Sequence, residues 1–439
     1  MKPHIKKTLY SLIVLLGLTM SMSAFAKTEN IEKTFSVNKG GTLNLDSDLG
    51  SVTVTTWDKG EVFVSVKKRA RSQKRLDRFE VEIEQRGNDV YVKGDNKWNN
   101  RVQVEFHVNV PREYNVDLST GGGSIKVADI NGNVKLDTSG GSISIGNVSG
   151  GDINAHTSGG SIKVADVRGN VKVDTSGGSI AIGNVDGGNV DAHTSGGSIK
   201  VGDVNGDLKV DTSGGGIHLG NITGSSSIHT SGGGISVTQG GKSVNAHTSG
   251  GSINIGPSKG NVKVNTSGGN IKIANSDGDI DADTSGGSIK VEGSKGKIVI
   301  RTSGGNLTVD SGGGPVRADT SGGNINIKQA KGAIEAKTSG GSIEAEMIET
   351  DNSKDTHLNL QSSGGNITVY LPETIEATVS ATLKISHFAD RDYQIYSDFP
   401  LNIKDNDNRV TAQGDINGGG DRIQINTSDG DINIKKIAR

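Results

Sequence analysis

The chain has 439 residues, with 47 Lys and Arg against 49 Asp and Glu, 66 glycines, 3% aromatics and no cysteine. The missing cysteine excludes disulfides, thiolate metal sites, a cysteine nucleophile and the lipidated cysteine of a bacterial lipoprotein. The near-neutral balance gives no general attraction to nucleic acid, and so few large side chains favour a thin aliphatic core over a compact one.

Residues 1–26 read as a secretory signal. Lys2, Lys6 and Lys7 form a positive region, Leu9 to Leu18 an apolar one, and Ala24-Phe25-Ala26 a small-x-small cleavage site. The apolar stretch is too short for a membrane span of about 20 residues, and no later segment approaches that length. Cleavage after Ala26 would leave 44 basic and 49 acidic residues, a net charge of −5. The expected compartment is the periplasm, the outer-membrane periphery or the cell surface.

Residues 27–117 alternate in short strand-like runs: Gly41 to Asp46, Ser51 to Thr55, Glu61 to Val66, Phe79 to Ile83, Asp89 to Lys93 and Val102 to Val110. Larger side chains collect here (Phe35, Trp57, Phe63, Phe79, Tyr91, Trp98, Phe106). We read this segment as an N-terminal β cap, because a stack of repeats exposes core and strand edges at its ends. Lys67, Lys68, Arg69 and Arg71 form the one strong basic run. They are candidates for contact with an anionic surface, set against a solvated loop or short helix.

From residue 118 to 370 one phrase dominates. Thr-Ser-Gly-Gly begins at Thr138 and returns at a step of 18 residues, or 19 at two places, until Thr338, twelve copies in all. A fixed period this short means stacked structural units. In the unit Thr157 to Asp174, Ile162 and Val164 alternate with Lys163 and Ala165; after a turn at Asp166 to Gly169, Val171 and Val173 alternate with Lys172 and Asp174. These are two short strands of period two. The expected fold is all-β: a single-chain parallel β-solenoid (β-helix) of about 18-residue coils, with β-rich end caps and right-handed winding as the favoured hand. Glycines in the turns are read as sites of left-handed backbone.

Parity places the motif threonine inward, on the face of Val171 and Val173. Thr138, Thr157 and Thr175, with Gly140, Gly141, Gly159, Gly160, Gly177 and Gly178, are thus predicted to form a structural turn and ladder. The residue before each Thr points outward and runs Asp137, His156, Asp174, His193, Asp211, His229, His247. Opposite charges alternate there, which avoids stacked repulsion. His156, Asp174, His193 and Asp211 are also the candidates for a metal site, although neighbours at strand spacing chelate poorly. The turn lacks the carboxylate of a calcium-binding nonapeptide, which argues against calcium. No cofactor is expected.

Residues 371–439 restore bulk (Phe388, Tyr393, Tyr396, Phe399), carry Pro372 and Pro400, and end in Thr427 to Ile432, one last coil. A longer gap between Thr338 and Ser362 leaves room for a loop around Glu349 to Thr356. This segment is expected to be C-terminal β coils and a cap.

Several of these features together resemble the bacterial "putative adhesin" family, DUF4097. They are the Gly50-Ser51-Val52-Thr53-Val54 strand followed by Trp57-Asp58, the Phe106-His107-Val108-Asn109-Val110-Pro111 strand, the Ser/Thr-Gly-Gly-x-Ile turns, and Leu371-Pro372 before the closing coil. The resemblance implies a β-solenoid at the cell envelope. It supplies no catalytic residue to carry over.

The functional expectation is a non-catalytic exported envelope or surface protein, presenting a repetitive face for adhesion or for binding protein or polysaccharide; association with its own copies would suit the same surface. One alternative is a periplasmic structural or assembly protein. Another is a polysaccharide-active β-helix enzyme built on Asp137 and Asp174, two coils and ~10 Å apart. Those carboxylates lie on an open face beside lysines, where nothing would raise the pKa of an acid catalyst.

Overall fold

A computed structural model describes residues 27–97, 101–349, 354–387 and 393–437. The candidate signal 1–26, Trp98 and Phe388 lie outside the described residues. The chain is an all-β solenoid of parallel coils.

One coil shows why the sequence folds this way. After Thr157-Ser-Gly-Gly, Ile162–Val164 pairs in parallel with Ile143–Ile145 in the coil before and Ile180–Ile182 in the coil after. These strands form the first face. Val171–Thr175 pairs likewise with Ile153–Thr157 and Val190–Thr194, and forms the third face. Between them lies a short second face that the two-strand reading missed. Val167–Arg168 pairs with Val185–Asp186, which pairs with Val204–Asn205. Isolated bridges extend that ladder from Ile130 to Ile222 and resume from Gly240 to Ala330. Each coil is therefore three-sided. A two-residue strand has no room to alternate, so its sequence reads as a turn.

The core is a column of aliphatic side chains. Ile162, Val164, Val167, Val171 and Val173 are each at most 2% exposed. On the third face large and small residues alternate along the stack (Leu136, Ala155, Val173, Ala192, Val210), so that neighbouring coils interdigitate. The second-face column changes midway, from Val and Ile up to Ile222 to Gly240, Ser258, Ser276, Ser294 and Gly312 beyond it.

Gly169, at the second turn of its coil, has the positive φ expected of the turn glycines, but the Thr-Ser-Gly-Gly pair serves another purpose. Among the described glycines, positive φ occurs at Gly40, Gly50, Gly87, Gly169, Gly187, Gly418 and Gly419, and at no Thr-Ser-Gly-Gly turn. Close stacking fixes the second glycine instead. A Cβ on Gly160 would lie well inside 3.0 Å of the carbonyl oxygen of Gly141, one coil below. Gly141 and Gly178 meet the same obstacle from Gly123 and Gly160, and no rotamer relieves a backbone clash. The first glycine has room in some coils and less in others: a Cβ on Gly159 comes no closer than 3.5 Å to anything and one on Gly140 no closer than 4.0 Å, whereas one on Gly177 or Gly214 would stand 3.2 or 3.0 Å from the carbonyl below.

Both ends depart from sequential stacking. At the N-terminal end the coil made by Thr42–Ser47 and Ser51–Trp57 lies between Asp89–Asn96 with Gln103–Pro111 on one side and Asn115–Thr120 with Ile125–Val127 on the other. Antiparallel strands finish this end: Glu61–Ala70 on Gln103–Pro111, Lys27–Ser36 on Glu61–Ala70, and Phe79–Arg86 on Asp89–Asn96. Phe79, Phe106 and Tyr114 fill the interior there, each at most 1% exposed. The other end repeats the device. Asp421–Ser428 and Ile432–Lys436 insert between the coil of Leu358–Ser362 and Ile367–Leu371 and the strands Ala377–Lys384 and Ile395–Ser397. Thr427 joins the ladder there, its Oγ1 2.7 Å from the Gly365 carbonyl. The coil expected to close the chain is thus an interior coil. The first face contains 20 strands in one ladder, which at ~4.8 Å per strand makes a stack about 90 Å long.

The basic run is also corrected. Lys67 to Ala70 end the strand Glu61–Ala70, neither loop nor helix; the short helix is Gln73–Leu76. Lys68 follows Val62, Val64 and Val66 inward and is 4% exposed. Its Nζ lies 2.9 Å from Glu29 and donates to the carbonyls of Leu76 and Phe79. Only Lys67, Arg69 and Arg71 of the four face outward, and Arg69 reaches Glu105 at 4.0 Å.

Candidate functional site

Each coil has three corners, and from Asn115 to Asn221 polar side chains tie all three to the coil below. At the first corner stands the motif threonine. Thr138, Thr157 and Thr175 are fully buried. Thr157 Oγ1 donates to the Gly141 carbonyl of the previous coil at 2.8 Å and accepts the Gly160 N–H of its own turn at 3.3 Å. Thr138 and Thr175 repeat both bonds. One hydroxyl thereby satisfies a donor and an acceptor that close stacking hides from water.

The second corner carries alternating Asp and Asn. The backbone N–H of Asn147, Asp166, Asn184, Asp203 and Asn221 each donates to the side-chain Oδ1 one coil below, beginning at Asp129. A third column (Asn115, Asn133, Asp152, Asn170, Asn189, Asp207) does the same at the entry to the third face. Sequence reasoning passed over these residues. Their signal was Asp or Asn recurring at the coil period without apolar neighbours of its own parity. Polar residues that resemble a catalytic array are here spent on the backbone.

The outward columns of the third face hold the Asp/His ladder. His156 Nδ1 lies 2.9 Å from Asp174, and His193 Nδ1 3.3 Å from Asp211. Both contacts join neighbouring coils. His229 and His247 stack with ring centroids 5.1 Å apart and planes 5° from parallel. Further along, Arg317 contacts Asp319 in its own coil at 2.8 Å and Glu335 in the next at 3.2 Å, and Arg301 reaches Asp281 at 3.3 Å. Asp319, hydrogen-bonded and close in charge, raises the Arg317 pKa further. The His357 ring, hydrogen-bonded to Asp355, lowers the carboxyl pKa of that residue. These partners are half-buried to exposed and lie at the surface, so each pair contributes only ~0–1 kcal/mol.

The four candidate metal ligands fall into two pairs along this ladder. Asp174, His193 and Asp211 line a shallow groove of about 330 Å³ with Lys172, Asp191 and Lys209. Among the described residues no three His, Asp or Glu converge to hold a metal ion. Asp137 and Asp174 are separated in register by His156. A larger groove of about 500 Å³ lies at the N-terminal end, where Tyr91, Asn44, Asp46, Glu82, Lys93 and Asp117 meet. No described helix is long and apolar enough to cross a membrane.

No curated protein matches the sequence. Solved structures similar to it include a "putative adhesin" from Bacteroides fragilis NCTC 9343, at 12% identity and a TM-score of 0.22, covering 68% of this chain and 97% of the other. A "putative cell adhesion protein" from Clostridium sporogenes ATCC 15579 has 10% identity and a TM-score of 0.15, covering 94% of this chain and 100% of the other. A "putative lipid binding protein" from Parabacteroides distasonis ATCC 8503 has 13% identity and a TM-score of 0.21, covering 66% of this chain and 96% of the other. Over residues 41–203 the chain matches the family described as Toastrack DUF4097, the one that its Gly50–Val54 strand, its Phe106–Pro111 strand and its Thr-Ser-Gly-Gly turns resemble.

Proposed function

We propose that this is a non-catalytic, exported envelope or surface protein, whose work is to hold a long repetitive face toward a protein or polysaccharide partner. One observation carries the reading. Through the repeats from Asn115 to Asn221 the corner polar groups are engaged with backbone of the adjacent coil, and the turns between strands are short. Such a surface offers area, length and a fixed period. A glycan-cleaving enzyme needs two carboxylates in distinct environments around a bound sugar. Here Asp137 and Asp174 stand on one open face with His156 between them.

Protease shaving of intact cells tests the location. Digestion on intact cells is the expected result for a surface protein. Digestion only after the outer membrane is opened would favour the periplasmic assembly role, and protection until the cytoplasm is released would defeat the proposal. Release of product from any envelope glycan, abolished by Asp174→Asn, would overturn the non-catalytic part.

A further inference from the structure

We propose that the first face of the coils between Ser124 and Gly220 binds an extended acidic polysaccharide with about one anionic group per two sugars, laid along the long axis of the stack. The inference rests on the surface reading above and names the face and the partner chemistry.

Register carries the argument. One outward column of this face runs Lys126, Ser144, Lys163, Ala181, Lys200, His218 through consecutive coils. Lysine returns every second coil, about 9.6 Å apart at two strand spacings. All three lysines are exposed, and none is in an ion pair. Some lysines elsewhere are neutralised instead: Lys135 pairs with Asp117, Lys272 with Glu292 and Lys290 with Asp310. No carboxylate enters the column from His107 and Thr53 at one end to Ser236 and Asn254 at the other.

The flanking columns suit the same ligand. On one side stand Ser124, Ser142, Ser161 and Ser179, whose hydroxyl oxygens accept the backbone N–H of the next coil. That use leaves each O–H proton to donate outward. On the other side are Ala128, Gly146, Ala165, Gly183 and Gly202. The glycines there are needed structurally, because a Cβ on Gly146 or Gly183 would strike Asp129 or Asp166. Their effect is still a low strip beside the lysines. Asp129 and Asp203, at the corner beyond that strip, spend both carboxylate oxygens on Asn147 and Asn221. The face therefore presents donors at a regular interval on a rigid ladder. A flexible polymer that meets one lysine is held at high effective concentration for the next.

The test uses the purified full chain with hyaluronan (one carboxylate per disaccharide), neutral dextran and phosphatidylglycerol vesicles. Hyaluronan should bind and dextran should not. Ionic contacts at an exposed face are screened, so hyaluronan binding should weaken clearly between 50 and 200 mM salt. The triple variant K126Q/K163Q/K200Q should lose about tenfold or more at low salt, while K272Q/K290Q stays within about twofold. Circular dichroism of the triple variant, changed only at exposed positions, separates lost binding from lost fold. No hyaluronan binding, equal binding by the triple variant, or equal binding of dextran overturns the proposal. Lysine-dependent capture of vesicles without hyaluronan also overturns it, in favour of a lipid surface. If hyaluronan fails while shaving still finds the chain on the cell surface, the face assignment falls and the surface reading stands.

Discussion

Alanine at the two turn glycines of a single coil should give opposite results. Gly159 and Gly160 are adjacent, share one turn and have similar sequence surroundings. At Gly160 the new Cβ would press on the Gly141 carbonyl and stand 2.6 Å from Ser142 Cα, where ordinary contact begins at 3.4 Å. Both obstacles are backbone, so the coil must lift by about an ångström or more. Lifting it also strains the bond from Thr157 Oγ1 to that same Gly141 carbonyl. Overpacking costs about 1–3 kcal/mol, and a buried carbonyl stripped of its donor about 1–3 more. Gly160→Ala should therefore destabilise by roughly 2–6 kcal/mol. At Gly159 the nearest atom would be 3.5 Å away and φ is not positive, so Gly159→Ala should fall within about 1 kcal/mol of wild type, of either sign. Urea unfolding followed by circular dichroism reads the difference, and limited proteolysis places the opening at that coil. Equal losses, or a Gly160→Ala variant within about 0.5 kcal/mol of wild type, would refute the close-stacking explanation of the motif.

The remaining predictions concern single side chains. Thr175→Val strands the Gly160 carbonyl and the Gly178 N–H and should cost about 1–3 kcal/mol in urea melts; Thr175→Ser should cost much less, since Ser362 already performs this task, with its Oγ 2.8 Å from the Gly341 carbonyl. Lys68→Ala should lower the melting temperature clearly, because the Leu76 and Phe79 carbonyls and Glu29 lose a buried donor. Lys67→Ala, on the outward parity, should stay within ±0.5 kcal/mol of wild type. Burial lifts the Tyr114 pKa from 10.0 to about 12, with a smaller contribution from Asp89. Its folded form keeps the proton longer than the unfolded chain, so this stability is full below pH 10 and is lost as pH rises through about 12. Urea midpoints measured from pH 9 to 12 should therefore fall more steeply for wild type than for Tyr114→Phe; parallel curves would contradict this.

Much of the fold is readable from period and parity. The Thr-Ser-Gly-Gly spacing gives the coil, the alternation gives two faces, and the parity of Val171, Val173 and Thr175 turns the threonine inward. What escapes has physical reasons. The second face is carried by two residues such as Val167–Arg168, too short to alternate. The insertion of Thr42–Trp57 beside Asn115–Val127 depends on pairing across some seventy residues, which no local pattern records. The Gly160 requirement comes from the coil below, so backbone freedom within the turn could not reveal it. Lys68 was readable by parity with Val62, Val64 and Val66, but a run of charges drew attention to solvent. For the candidate site, the Asp/His column was visible as alternation, yet its contacts run between coils. The Asp/Asn corners were visible only as a period.

Small-angle scattering of the purified chain addresses the central claim most directly, since every face, corner and ladder follows from coils stacked in one line. A stack about 90 Å long predicts a maximum dimension near 90–100 Å and the scattering of a rod. A globular particle with a radius of gyration near ~22 Å, as expected for a compact chain of this length, would contradict it.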